Sequence, residues 1–140
     1  MKLVVDTNTI ISGALWQGPP ARLVFAALGG YAQMFLSLPL LLELQETLQL
    51  PKFAQRLAGR GETPASIIAR FRSSCFEVAP ARIMPPAGLR DPDDLHVLAC
   101  AVSAEADAIV TGDKDLLTMK SFEGIPIIDA VEALRRLGLS

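Results

Sequence analysis

The stretch that most constrains the fold is residues 90–115, where an acidic cluster, an apolar run and a second acidic cluster follow one another. The run at 95–106 leaves almost no polar face, which predicts a central, buried helix that begins at Asp94. The apolar segment 108–111 predicts a strand covered on both faces. Such a helix and strand pack antiparallel, so Asp94 and the acids after the strand meet at one edge. We predict a metal-binding active site there.

The rest of the chain alternates between strand and helix patterns. This alternation predicts the α/β class, as a three-layer α/β/α sandwich with a mainly parallel sheet of about five strands. The length of 140 residues suits a single domain that spans residues 1–140. Strands are predicted at 3–5, 34–36, 76–78, 108–111 and 125–128, the last of them at an edge of the sheet.

Four carboxylates from distant parts of the chain converge on the carboxyl edge of this sheet, where ligands bind in open parallel folds. Asp6 follows the first strand, Asp113 follows a later one, and Asp94 begins the helix beside it. Glu43 lies at the border of a leucine stripe and can point along the edge, whereas Glu46 falls opposite the stripe and is expected to face water.

Four carboxylates at close range repel one another unless they take up protons or hold a counter-ion. Oxygen ligands without a His or Cys cluster indicate Mg²⁺ or Mn²⁺ and argue against Zn²⁺. There is no candidate Ser–His or Cys–His pair, since the single histidine, His96, lies in the buried-helix pattern. We therefore expect direct attack by water on a phosphodiester.

The composition limits which partners and which cellular location we expect. With 51% hydrophobic and 20% charged residues, the chain is not disordered, and some apolar surface is expected to face a partner. The formal net charge of −2 leaves no basic footprint for nucleic acid over the whole surface. The absence of membrane-helix and signal-peptide patterns predicts a cytoplasmic protein. Cys75 and Cys100 are expected to be reduced core residues.

The ordered motifs resemble the PIN domain family, close to the toxin components of bacterial toxin–antitoxin modules. The resemblance covers nearly the whole chain and implies a Mg²⁺- or Mn²⁺-dependent ribonuclease that cleaves single-stranded RNA, commonly as a homodimer held inactive by an antitoxin. It is carried by Val5-Asp6-Thr7-Asn8, by Glu43 in a leucine-rich helix, by Asp94 followed by Val97-Leu98-Ala99-Cys100-Ala101, and by Thr111-Gly112-Asp113-Lys114-Asp115.

The resemblance also implies roles for single residues. Its metal-binding acids match Asp6, Glu43, Asp94 and Asp113. Asp91 lies so close to Asp94 in the sequence that it is also a candidate for contact with the site. For Asp115 we expect a helix cap and a role in the site equally. The supporting residues are Thr7, Asn8, Thr111 and Asp115.

Two other functions stay open at this point. An α/β metal-dependent phosphatase would also place an Asp after its first strand, but Asp6-Thr7-Asn8-Thr9 lacks the second Asp of haloacid-dehalogenase-type phosphatases. A non-catalytic PIN-like interaction module is the other alternative, and the complete acid set argues against it.

Several side chains have ordinary structural interpretations that we weigh against functional ones. His96 is expected on the helix surface or hydrogen-bonded inside, and Asp129 as a helix cap. The arginines are expected to form a solvated helix face more than an RNA-binding surface. The aromatic residues are expected to make core or dimer contacts more than to stack on RNA bases. The RNA-binding candidates are Arg56, Arg60, Arg70 and Arg72; the aromatic residues are Trp16, Tyr31, Phe71 and Phe76.

Overall fold

A computed structural model describes residues 1–139 of the chain. In these residues six strands form one sheet in the order β3-β2-β1-β4-β6-β5, and all neighbours are parallel except β5 and β6. The strands are β1 (Lys2–Val5), β2 (Gln33–Leu36), β3 (Phe76–Glu77), β4 (Ala108–Val110), β5 (Ser121–Phe122) and β6 (Ile125–Ile128).

The extra strand corrects the expectation that residues 125–128 form an edge strand. β5 pairs antiparallel with β6 and is itself the edge. Glu123 and Gly124 join the two strands with φ values of 48° and 80°, and two successive positive φ angles are what a tight hairpin turn requires. Because the first of these residues is Glu instead of the usual Asn or Asp, the turn was not evident from the sequence.

Eight helices surround the sheet in the described residues. Pro occupies the first turn of five of them, where its missing N–H costs nothing. The helices are α1 (Thr7–Leu15), α2 (Pro19–Leu28), α3 (Leu38–Leu48), α4 (Pro51–Gly59), α5 (Pro64–Ser74), α6 (Pro92–Ala104), α7 (Lys114–Met119) and α8 (Ala130–Arg136).

The start of the central helix differs from the prediction by two residues. α6 begins at Pro92, and Asp91 caps it by accepting a hydrogen bond of 2.9 Å from the backbone N–H of Asp93. Asp94 therefore lies inside the first turn. The prediction for Asp129 is confirmed, since its carboxylate accepts a 2.9 Å bond from the N–H of Glu132 at the start of α8.

Two apolar clusters, one on each face of the sheet, confirm the three-layer α/β/α architecture. Leu3 and Val5 of β1 pack into a cluster with residues of α1 to α5 and α8. Val4, which points to the opposite face, packs with α6 and α7. The two central strands, β1 and β4, run parallel and therefore end at the same edge of the sheet. At this edge the N–H of Asp6 donates a hydrogen bond of 3.0 Å to Val110 O.

Some predictions about single side chains are confirmed and others are wrong. Phe71 is fully buried, as expected. Trp16, Tyr31 and Phe76 are 42%, 71% and 51% exposed, so a core role is wrong for these three and dimer contacts stay a prediction. The two cysteines are free, with Cys100 buried and Cys75 half-buried, and burial raises the pKa of each thiol to about 12.

No helix within residues 1–139 combines the length and the apolar character that crossing a membrane requires.

Candidate active site

A pocket of about 470 Å³ opens at the carboxyl edge of the sheet. Six carboxylates line it, and no lysine or arginine does so within the described chain. The site is therefore strongly anionic and needs protons or cations to be stable. Its lining consists of Asp6, Thr7, Asn8, Thr9, Ser12, Pro20, Glu43, Asp91, Asp93, Asp94, Val97, Gly112 and Asp113.

Asp6 is held rigidly between two elements. It caps α1 by accepting a 2.9 Å bond from the N–H of Thr9, and its other carboxylate oxygen accepts a bond from the hydroxyl of Thr111. The same Thr111 oxygen accepts a 3.0 Å bond from the N–H of Asp113. Thr111, which is buried behind the pocket, thus ties the ends of β1 and β4 together and fixes the spacing between Asp6 and Asp113.

The carboxyl groups of Asp94 and Asp113 interact directly. The pKa of Asp94 is raised to about 7, mainly by burial, and also by the charge of Asp113 and by a hydrogen bond between the two carboxyl groups. Smaller contributions come from Asp91 and Asp6. Two carboxylates that share a proton hold a position that a cation can take instead. Asp6 lines the same pocket and its charge acts on Asp94, and we call Asp6, Asp94 and Asp113 the inner acids.

Glu43 reaches the pocket from α3, as the leucine-stripe argument predicted, and Glu46 is exposed to solvent. The pKa of Glu43 is raised to about 7, mainly by burial and next by the charge of Asp93, while a hydrogen bond with Thr7 lowers it. The charges of Asp91 and Asp6 also raise it. A carboxylate oxygen of Glu43 lies within 4.8 Å of one of Asp93.

The predicted supporting residues fall into two groups. Thr7, Asn8 and Asp91 line the pocket, and Asp91 is at once a pocket residue and the cap of α6. Asp115 is exposed and does not line the pocket; its N–H donates to Asp113 Oδ1 at 2.9 Å. The structure therefore brings the backbone of Asp115, but not its carboxylate, to the site.

The most compact group of potential metal ligands includes a residue that was not expected at the site. One ligand atom from each of Glu43, Asp93 and His96 lies within 4.8 Å of the other two. His96 thus lies near Glu43 and Asp93, although the sequence predicted no histidine with the acids. The signal was present in the sequence, because Asp93 and His96 are three residues apart and share a helix face. His96 was expected on the helix surface or hydrogen-bonded inside, and neither position predicts a contact with an acid on another helix.

The predicted RNA-binding arginines lie away from the pocket and do not line it. Arg70 pairs with Glu62 at 2.5 Å and Arg72 with Glu77 at 3.7 Å. Arg56 donates a 2.6 Å bond to Leu15 O, and its guanidinium lies over the ring of Trp16. Arg60 is exposed.

The donor set fits a hard divalent cation. Carboxylate oxygens are the ligands that Mg²⁺ and Mn²⁺ prefer, and two of these carboxyl groups have pKa values near 7 that a nearby cation would lower. Oε2 of Glu43 is shielded from solvent and has no hydrogen-bond partner among the described residues. The residues that would hold the cation are the inner acids together with Glu43.

Comparison with known proteins agrees with this geometry. A family model described as PIN domain matches residues 2–115. The matched segment contains Asp6, Glu43, Asp94 and Asp113. No curated protein matches the chain.

Proposed function

The chain belongs to the PIN domain family, and from this premise we propose that it is a Mg²⁺- or Mn²⁺-dependent endoribonuclease that hydrolyses phosphodiester bonds of single-stranded RNA. PIN domains are generally metal-dependent nucleases. The single observation that carries the proposal is the convergence of Asp6, Glu43, Asp94 and Asp113 on one pocket without a lysine or arginine in its described lining.

The four acids have distinct roles in this proposal. Asp6 is oriented by Thr9 and Thr111, so its carboxylate is fixed before any ligand binds. Asp94 and Asp113 supply negative charge to the lining of the pocket. A bound divalent cation would supply a water of lowered pKa and stabilise charge on the phosphate.

Neutral polar groups at the mouth of the pocket are proposed to orient the substrate. Asn8 is exposed and lines the pocket beside Thr7, whose hydroxyl contacts Glu43. An amide can hydrogen-bond to a phosphate or a base without adding charge. We assign supporting roles to Thr7, Asn8, Asp91 and Thr111, and a backbone role to Asp115.

The preference for single strands is supported by the position of the acids inside a pocket of about 470 Å³. A flexible single strand can bend a phosphate into the acidic edge. The family resemblance supports RNA, and not DNA, as the substrate.

The biological role that we propose is that of a cytoplasmic toxin in a toxin–antitoxin module, active as a homodimer and inhibited by an antitoxin. The exposed aromatic residues Phe25 and Tyr31 support a protein partner. They are 81% and 71% exposed and line an apolar groove of about 720 Å³ with Leu134 and Leu139. An exposed apolar groove of this kind is typical of a protein-binding surface.

The nuclease activity is tested with purified protein and end-labelled single-stranded RNA, in parallel with single-stranded DNA and duplex RNA. We expect cleavage of the single-stranded RNA with Mn²⁺ or Mg²⁺ and none with EDTA. Asp6→Asn and Asp94→Asn should each lower the rate of cleavage by at least about a hundredfold. Glu46→Gln is the matched control, because it removes an exposed acid from the helix that carries Glu43.

Two results would reject the nuclease proposal. One is the absence of cleavage of every single-stranded RNA with either metal, and the other is unchanged cleavage by Asp6→Asn. Transfer of labelled phosphate to Asp6 would instead support the phosphatase alternative. For the toxin role, expression of the wild-type chain should arrest growth, and expression of Asp6→Asn should not.

A further inference from the structure

A second group of ligand atoms lies at the rim of the pocket, beside the inner acids. It consists of Glu43 on α3 and of Asp93 and His96 on α6, and we call it the rim triad. One carboxylate oxygen of each acid and one imidazole nitrogen lie within 4.8 Å of one another. Ligands around one Zn²⁺ or Mn²⁺ ion lie roughly 3–4 Å apart, given metal–ligand distances of about 2.0–2.2 Å. Small side-chain rotations would close the difference.

The contacts inside the rim triad do not satisfy its polar atoms. His96 Nδ1 and Asp93 Oδ1 are 4.0 Å apart, which is too long for a hydrogen bond. Among the described residues, His96 Nδ1 and Glu43 Oε2 are both shielded from solvent and both lack a hydrogen-bond partner. Buried polar atoms without a partner on two neighbouring helices call for an explanation, and a cation bound between the helices would supply one.

A histidine in the triad changes which cation it selects. Imidazole nitrogen is a good ligand for Zn²⁺ and neighbouring transition metals, whereas Mg²⁺ prefers oxygen alone. Three protein ligands with one open position for water is a common arrangement for Zn²⁺. The inner acids offer only oxygen. The two groups therefore differ in chemistry as well as in position, and Glu43 lies between them.

We propose that Glu43, Asp93 and His96 form a second cation site, which binds Zn²⁺ or a similar transition-metal ion and discriminates against Mg²⁺. His96 binds the ion through Nδ1. The proposal does not depend on nuclease activity, because it concerns binding alone. It has one consequence for the proposed function: an ion in the rim triad competes with the inner acids for Glu43.

The composition of the chain permits a direct test, since His96 is its single histidine. Protein labelled with ¹⁵N and freed of any histidine tag has one imidazole, whose two nitrogens are resolved by long-range ¹H–¹⁵N correlation spectra. We expect one equivalent of Zn²⁺ to shift the Nδ1 resonance of His96. A hundredfold excess of Mg²⁺ should leave it unchanged.

Variants separate the triad from adventitious binding to a lone imidazole. Asp93→Asn and Glu43→Gln should each weaken Zn²⁺ binding at least tenfold, as measured by the same titration and by calorimetry. His96→Gln should abolish the binding event. Glu46→Gln, on the solvent side of α3, is the matched control and should bind Zn²⁺ like the wild type. Asp93 is exposed, so Asp93→Asn is expected to fold even if Glu43→Gln does not.

Three results would overturn the rim site: no shift of His96 with several equivalents of Zn²⁺, a shift at Nε2 instead of Nδ1, or equal affinity in the wild type and Asp93→Asn. The Asp94→Asn protein keeps the triad intact and should still bind Zn²⁺. Its binding therefore distinguishes failure of the rim site from failure of the proposed nuclease site.

Discussion

The acidic pocket and the basic surface of α4 and α5 carry opposite charges and are built in opposite ways. Asp6 and Asp94 are only 7% and 8% exposed, and hydrogen bonds or neighbouring carboxyl groups restrain both. The side chains of Arg70 and Arg72 are 45% and 59% exposed and are paired with nearby acids. Buried charges of one sign store unfavourable free energy that a ligand can release, whereas solvated pairs store little.

The comparison explains why the acids are the better candidates for chemistry. Side chains that remain close together despite repulsion do so because the rest of the fold forces them there. The arginines lie where many unrelated proteins also expose basic side chains. Four predictions test the contrast, beginning with the largest effect.

Asp94→Asn should separate activity from stability. Removal of one carboxylate from the inner acids should lower kcat/KM for single-stranded RNA by roughly 10²- to 10³-fold, as for loss of one electrostatic stabilising group. In EDTA the same variant should unfold at a higher temperature than the wild type, because the repulsion with Asp113 is gone. Loss of both activity and stability would mean that Asp94 is structural.

The pocket should also make stability depend on pH and on metal. The pKa values of Asp94 and Glu43 are raised to about 7 from 3.8 and 4.5. The folded state therefore holds protons that the unfolded state has already released. In EDTA the free energy of unfolding should fall as the pH rises from about 4 to about 7, because these two acids become charged within the fold.

Thermal unfolding in EDTA across this pH range shows whether stability falls as the pH rises, and Asp94→Asn is the comparison variant. The variant should show a shallower decline in Tm. At pH 7.5, Mn²⁺ at about 100 times its Kd should restore about 2.7 kcal/mol. A Tm that rises with pH in EDTA, or does not respond to Mn²⁺, would contradict the interpretation of the pocket as a cation site.

Two glycines compare the packing of a helix that borders the acidic pocket, α1, with that of a helix on the basic surface, α4. A Cβ at Gly13 in α1 would lie 2.5 Å from Val24 Cγ2 and 2.6 Å from Pro20 O, so α1 packs on α2 without room for a methyl group. Gly13→Ala should lower the free energy of unfolding by about 1–3 kcal/mol. Gly59→Ala in α4 meets nothing within 4 Å and should stabilise by up to about 1 kcal/mol. Urea denaturation of both variants measures the difference.

The smallest effects are expected on the basic surface. Arg60 is exposed and is in no ion pair within residues 1–139, whereas Arg70 already pairs with Glu62 at 2.5 Å. If RNA passes over this surface, Arg60→Ala should weaken RNA binding by a few-fold and lower its salt dependence, and Arg70→Ala should do less. Fluorescence anisotropy in the inactive Asp94→Asn background measures both. Equal affinity in all three proteins would favour the solvated-face interpretation.

Local patterns were sufficient to predict most of the fold. The alternation of strands and helices predicted the α/β/α layers, and Asp6, Asp94 and Asp113 could be assigned to one edge because parallel strands end there. The leucine stripe of α3 distinguished Glu43 from Glu46 correctly in orientation. The edge position of residues 125–128 was wrong, because a Glu–Gly turn with two positive φ angles carries no strong sequence signature.

The sequence by itself determined which acids follow which strands, because side-chain periodicity and chain direction are local properties. Only the tertiary structure decided which of those acids lie near one another. The α3–α6 packing brings Glu43 close to Asp93 and His96, while the hydrogen bonds of Thr111 hold Asp6 beside Asp113. Distances between side chains on separate elements depend on how the elements pack, and that packing is a property of the whole core.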